Sequence, residues 1–415
     1  MIEPRAILEQ RNAVQHEKHA LSWRERADAI LPTGASTGSK RAAALYGEEF
    51  FDGPTHFAAA RGCRVTAVDG DPFVDCTMAL GAVALGYAEP RVTKAVIEAA
   101  SEGSVSGLSS WREVELAERL CSIIPCAERA QFLKSGAEAV SAAVRLARTY
   151  TGRDRVVASG YFGWHDWSSN SEGVPHSVRG DVVHVPFGDV SALESAARGA
   201  GSSLAAIVLE PVVEREPPQD WLPSARALCD ELGAALVFDE MKTGFRLAPG
   251  GYQQVCGVTP DLAAFGKALA NGFPLAAVVG KDPLMKAARR TWISSTLASE
   301  STALAAALAV LDGHGETDIC AKLAVIGHEM RAAVERAITT TGARGVRTDG
   351  VDAMWLLHWD DAARENRFVR EALKAGVLFK RGAYNFASIA HDEEAMAAVE
   401  HAASTALVAA RADAD

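Results

Sequence analysis

AALVFDEMKTGFRLAPGGYQQVCGVTPDLAAFGKALANGFPLAAVVG, residues Ala234 to Gly280, is the stretch on which the fold turns. It opens with an apolar run, Ala234 to Phe238, of the length and composition of a buried strand. The run stops at an acidic pair, Asp239 and Glu240. In open α/β sheets ligands gather outside the carboxyl ends of strands, so Asp239 stands where a ligand-facing carboxylate belongs. Farther on comes Lys267, set among Phe265, Gly266, Ala268, Leu269 and Ala270 and followed by an NGFP turn. A lysine among such neighbours loses solvation, and its amine becomes available as a nucleophile toward a carbonyl. The same residues also suit a buried strand ending in a solvated acid, with a lysine snorkelling from a helix. Spacing does not separate the two readings.

A cofactor that needs both such an amine and a carboxylate, the latter to keep a pyridinium nitrogen protonated, is pyridoxal phosphate. Here a resemblance adds to the residues. Asp239-Glu240-Met241-Lys242-Thr243-Gly244-Phe245, then Pro260-Asp261, then Gly266-Lys267, resembles the cofactor core of the class III aminotransferases. Within that class the chain is most similar to glutamate-1-semialdehyde aminomutase and its aminotransferase relatives, from about residue 25 to the C-terminus.

Composition agrees with a large enzyme. The chain has 415 residues, which favours two or three layered domains. Its formal net charge of −11 disfavours a nucleic-acid footprint and an anionic membrane surface. Seven cysteines without a CxxC pair read as reduced thiols rather than a zinc site, which points to the cytoplasm. The first residues lack the basic and apolar regions of a signal peptide, and no apolar run is long enough to span a membrane. No internal repeat, GxGxxG or P-loop lysine motif is present.

In chain order, residues 1–31 predict one or two exposed helices, and Leu31 to Arg41 a loop. A hairpin is expected from Cys63 to Val68 and Pro72 to Cys76. Helices are expected over Arg91 to Glu102, Arg112 to Ile124, Ala139 to Tyr150 and Trp221 to Leu232, and strands over Arg155 to Ala158, Leu204 to Leu209 and Ala276 to Val279. Strands alternating with helices imply a largely parallel sheet. From about Asp312 the order helix, strand, strand, helix is expected.

The turn Ser135-Gly136 at a helix start offers free N–H groups suited to a phosphate, although serine is also an ordinary cap. The aromatic cluster from Tyr161 to Trp167 either covers a core edge or supplies a ring to stack on another ring. Thr296 could cap the alanine-rich helix that follows it.

The resemblance implies a fold-type-I transferase: a large domain with a mostly parallel sheet of the seven-stranded type, and a smaller α+β domain built from both termini. The expected divisions are 1–75, 76–311 and 312–415. Pyridoxal phosphate is the implied cofactor and Lys267 the Schiff-base lysine that also carries the proton, with Asp239 on the ring nitrogen. Tyr161 stacks on one ring face and Met241 packs on the other. Phe162 takes the place of the family's histidine. The phosphate lies at Ser135, Gly136 and Ala137, the last standing where the family usually has a hydroxyl, with Thr296 of the partner subunit completing it in a homodimer. Glu210, at the end of another strand, supports the site. Lys40 or Arg41, Trp164 and Arg381 are the candidates for contact with substrate, while His165 is not expected to act as the base. Ala383 falls where the aminomutase carries a glutamate, and Ser299-Glu300-Ser301 where relatives read Gly-Asn-Pro. The implied reaction moves an amino group from an amino donor to an aldehyde or keto acceptor; the alternative is an aminomutase or racemase using the same lysine.

Overall fold

In the computed structural model, residues 22–47, 53–68, 70 and 72–411 are described. The expected helices within residues 1–21 lie outside them. The helix Trp23–Ile30 starts with Ser22 and Glu25 capping each other. The Leu31 to Arg41 segment contains a 3₁₀ turn, Gly38–Lys40, and leads into the short helix Ala42–Tyr46.

Strands β1 (Phe57–Arg61), β2 (Arg64–Ala67) and β3 (Pro72–Asp75) pair antiparallel in sequence, Arg64 opposite Val74. The expected hairpin is β2–β3, and β1 is an additional strand on its edge.

Seven strands then build the main sheet: β4 (Arg129–Leu133), β5 (Arg155–Ser159), β6 (Val182–His184), β7 (Leu204–Leu209), β8 (Ala235–Asp239), β9 (Leu262–Phe265) and β10 (Ala276–Gly280). Their order is β4-β10-β9-β8-β7-β5-β6, and only β10 runs antiparallel to its neighbours. Helices Gly136–Thr151, Val190–Ala200 and Trp221–Leu232 connect successive strands.

The continuous apolar run of β8 follows from burial on both faces. Ala235 and Val237 join the apolar layer under helix Gly136–Thr151, with Ala206, Val208, Leu262 and Ala264. Leu236 and Phe238 join the opposite layer, with Ile207, Leu209, Ala263 and Phe265. Each Val, Leu, Ile or Phe side chain among them contributes roughly 1.5–3 kcal/mol when fully buried. Strand alternation thereby sends Asp239, of the same parity as Ala235 and Val237, toward the helix Gly136–Thr151 side.

Helix Ser301–Glu316 packs against Pro90–Glu102 and Trp111–Ile123. The chain continues through helix Ile319–Thr341, strands β11 (Val346–Val351) and β12 (Met354–Trp359), and helix Ala362–Lys374. It finishes with β13 (Val377–Leu378), β14 (Asn385–Phe386) and helix Glu393–Ala409. β13 adds in parallel to β3, Val377 opposite Val74, so the C-terminal segment completes a sheet begun near the N-terminus. All seven cysteines are unpaired. Among the described residues no helix is long and apolar enough to cross a membrane, and no three metal-binding side chains converge.

Candidate active site

The acidic pair at the end of β8 divides its work. Glu240 is fully buried and accepts the N–H groups of Tyr252 at 2.8 Å and Gln253 at 3.1 Å, along with the Thr243 hydroxyl. It is an anchor for the following loop. Asp239 accepts only the Met241 N–H, at 2.9 Å on Oδ1, and Oδ2 takes no hydrogen bond from any described residue. Burial first, and the Glu210 carboxylate second, push the Asp239 carboxyl up to about 7 against the pull of Lys267.

Lys267 follows β9 by two residues and begins a 3₁₀ turn with φ +46°. A non-glycine residue held there stores roughly 1–3 kcal/mol of strain. Among the described residues its amine has no hydrogen-bond or ion-pair partner. Burial depresses its pKa, Asp239 opposing. The turn is locked by Asn271, whose Oδ1 accepts the N–H groups of Ala84 and Leu85 at 3.0 and 2.9 Å. Asp261, the acid of the Pro-Asp pair, is structural: it accepts from Leu236 N–H at 2.8 Å, Arg226 at 2.9 Å and Lys281 at 2.6 Å.

Ser135 caps helix Gly136–Thr151, its Oγ accepting from Glu138 N–H at 3.3 Å while Glu138 accepts from Ser135 N–H at 2.8 Å. The Gly136 and Ala137 N–H groups have no acceptor among the described residues. Two open donors at the positive end of a helix suit a phosphate. Met241 wedges between this turn and the lysine: a Cβ on Gly136 would lie 2.9 Å from its sulfur, and one on Gly266 2.7 Å. Likewise Gly163 (φ +92°) approaches so closely that its Cβ would lie 2.5 Å from that of Ala137. The small residue at 137 is what lets the aromatic loop close over the helix end.

Tyr161 and Phe162 point apart. Tyr161 is 75% exposed, with its N–H on Glu210 Oε1 at 2.6 Å. Phe162, expected beside the cofactor, is instead a core residue packed on Trp167, because neighbouring side chains at a strand exit take opposite sides. His165 Nδ1 is bonded to Ser141 Oγ on helix Gly136–Thr151 at 2.7 Å, and Trp164 is exposed against its edge. Glu210 is buried and ion-paired with Lys242, a partner that motif reading passed over.

Arg41 is exposed ahead of the helix Ala42–Tyr46, whereas Lys40 lines a cavity of about 250 Å³ with Tyr46, His56, Leu80 and Lys380. Lys40 is itself exposed, and the lining of that cavity includes none of Asp239, Lys267 and Tyr161. Arg381 donates to Asn366 on helix Ala362–Lys374, and Tyr384 is the residue its segment sends to Lys242. Thr296 is exposed and does not cap the following helix; Glu300 does, accepting from Thr302 N–H at 2.8 Å and Ala303 N–H at 3.1 Å. Glu300 also holds Lys134 at 2.8 Å, tying the phosphate-type turn to that helix. Arg246 was missed as well. It is fully buried and donates to the carbonyls of Gly81, Ala353 and Ala387.

An unpartnered amine, an acid with a free oxygen, two open N–H groups and an exposed aromatic face are the fittings that a phosphorylated pyridine aldehyde requires. Comparison with known proteins agrees. The class-III aminotransferase family model matches residues 52–391. The chain is 39% identical over 279 residues to glutamate-1-semialdehyde 2,1-aminomutase of Methanothermobacter thermautotrophicus, a match spanning 63% of this chain and 64% of that one. It is 32% identical over 332 residues to 3-aminobutyryl-CoA aminotransferase of Cloacimonas acidaminovorans, covering 78% and 79% of the two chains. Its fold superposes with a TM-score of 0.88 on the FumI protein of Sphingopyxis sp. MTA144 in its pyridoxal-phosphate internal aldimine form, at 28% identity over 93% of this chain and 94% of that one. The chain belongs to the class III aminotransferases, pyridoxal-phosphate enzymes of fold type I.

Proposed function

We propose that this transaminase moves an amino group between an amino-acid donor and an aldehyde or keto acceptor, with Lys267 and Asp239 as its catalytic pair. The observation that carries the reading is the Lys267 amine, left without a partner beside an acid it does not bond. When bound, the cofactor supplies an electron-accepting ring. Asp239 Oδ2 would accept the ring N–H and keep it charged. Lys267 Nζ takes the proton from the substrate α-carbon and returns it at the far side of the exchange. The Gly136 and Ala137 N–H groups and Ser135 would hold the phosphate, and Tyr161 and the Met241 thioether would pack against the ring. Glu210 holds the backbone of Tyr161 in place.

We further propose that the enzyme works as a homodimer in the cytoplasm. Val105, Leu108, Trp111, Trp292 and Leu297 are exposed apolar side chains, and the segments bearing them meet where Ser301 N–H donates to Ser104 O at 2.8 Å. Such a patch favours a protein partner, and Thr296 lies between Trp292 and Leu297. Unpaired cysteines suit a reducing compartment. The division of the chain at 75/76 and 311/312 remains part of the same proposal.

A second reading, an aminomutase working on one substrate, is favoured by the identity to the Methanothermobacter aminomutase. Ala383, in the register of a family glutamate, weighs against it. The test follows the visible band of the purified holoenzyme while amino donors are added without an acceptor. Bleaching with release of a keto product supports transamination; turnover of one substrate with no loss of its amino group supports the isomerase. Absence of any band in the presence of added cofactor overturns both.

A further inference from the structure

Lys242 is a second amine of the cleft, and the catalytic reading gives it no task. It directly follows Met241, with its side chain 17% exposed, and its ammonium is ion-paired with Glu210 Oε2. The other oxygen of that carboxylate accepts the Tyr161 N–H at 2.6 Å. On its far side the ammonium stands 4.6 Å from the centre of the Tyr384 ring, a cation–π contact, and the Tyr384 hydroxyl accepts the Glu214 N–H at 2.6 Å. One ammonium therefore joins the exits of β5, β7 and β8 to the C-terminal segment.

A packing role alone does not account for it. Burying an ion pair costs several kcal/mol per ion, and an apolar side chain of similar length would fill the space without that cost. The charged and titratable groups around it are Glu210 after β7, Asp239 at the end of β8, Lys267 after β9 and Tyr384. Burial disfavours its charge, but Glu210, Tyr384 and Asp239 outweigh that and keep it protonated.

We propose that Lys242 is a positioning residue for transamination: paired with Glu210 it fixes the Tyr161 backbone at the cleft, and it places a standing positive charge beside the Lys267 amine. The inference rests on the cofactor reading above. Removing the charge also leaves Glu210 unpaired. Both changes act in one direction, tightening the hold on a proton at the Lys267 nitrogen.

The experiment uses the holoenzyme and its Lys242→Met, Lys242→Gln and Lys242→Arg variants, loaded with pyridoxal phosphate. The pH midpoint of the visible band, cofactor dissociation by tryptophan fluorescence and thermal stability are read together. The midpoint is expected to rise by about one unit or more in the Met and Gln variants, and to return most of the way in Lys242→Arg. Cofactor affinity should fall in the same order, as Tyr161 loses its support. Should Lys242→Met fail to fold, Lys242→Gln, which keeps an uncharged N–H donor on a shorter stem, carries the test. A midpoint unmoved in folded Met or Gln variants, whatever their thermal stability, overturns the proposal while leaving the cofactor reading intact. A wild type that develops no visible band overturns both.

Discussion

Asp239 ends β8, in register with Ala264 of the parallel strand β9, and Lys267 lies two residues past the end of β9, yet the two form no salt bridge. Each still feels the other's charge: Asp239 opposes the loss of the Lys267 proton, and Lys267 opposes the rise of the Asp239 carboxyl. Two opposite charges left apart in a buried place cost free energy unless something fits between them. On the proposed function, a flat ring meeting the acid at one end and the amine at the other would be what fits there.

Lys267→Ala removes the amine and leaves the backbone conformation as strained as before. Activity with any donor should fall by at least about 10²–10⁴-fold, the size of a general acid–base contribution. Thermal stability should hold or rise, because relief from burying an unpaired ammonium offsets the lost packing. Steady-state kinetics beside a melting curve checks both.

Asp239 makes cofactor capture pH-dependent. Its carboxyl sits near 7, so it is ionised above that pH and takes up a proton below it. Affinity for a cationic ring should be full above pH 7 and decline as pH falls through it. Asp239→Asn should flatten that profile and cost about 10²–10³-fold in turnover, as for removal of a preorganised electrostatic partner. Cofactor titrations between about pH 5.5 and 8.5 test the sign.

Arg246 holds the segment after β8 to carbonyls from both ends of the chain, with its guanidinium 5.0 Å from the centre of the Phe386 ring. No carboxylate among the described residues pairs with it, and burial lowers its pKa to about 10. Arg246→Met strands those carbonyls and should destabilise by about 3 kcal/mol. Arg246→Lys should not restore stability, since one ammonium cannot span the positions a planar fork reaches. Thermal denaturation of the two variants separates charge from geometry.

Glu300 should give an acid-sensitive contribution. Burial would raise its carboxyl, but Lys134 and Thr302 overcome that and hold it at about 2. Its stabilisation is present above the ordinary value of 4.5 and is lost as pH falls from there toward 2. Glu300→Ala should cost about 1–2 kcal/mol, the range for a helix cap, and the difference from wild type should shrink across that window. Denaturation at neutral and acidic pH measures it.

Trp292→Glu, beside Thr296, should break the proposed dimer and weaken cofactor binding with it. Thr296→Ala should weaken cofactor binding alone. Sedimentation and cofactor titration of both variants distinguish assembly from a direct phosphate contact; a Trp292→Glu protein of unchanged mass would remove the dimer from the proposal.

Strands β4, β6 and β9 emerged only in the structure. The sequence by itself determined four strands of the large sheet, β5, β7, β8 and β10, with most of its helices, and singled out Lys267 and Asp239 as candidates. Those features are local. A run buried on both faces reads as uniformly apolar, a capping box announces its helix, and Asp239 and Lys267 lie in motifs that need only their neighbours to be read. The tertiary structure alone decided what the second residue of each adjacent pair does. Asp239 has the parity of Val237 and is open, while Glu240 is consumed by Tyr252 and Gln253. Tyr161 is exposed and Phe162 lies in the core. Lys242 reads from sequence as one more charge in a loop, and only folding brings Glu210 to one side of it and Tyr384 to the other. Arg246 is invisible for the same reason: its acceptors are carbonyls, which every residue has, gathered from Gly81, Ala353 and Ala387. Contacts between residues far apart in the chain leave no spacing to read, because their geometry is set by the packing of whole elements.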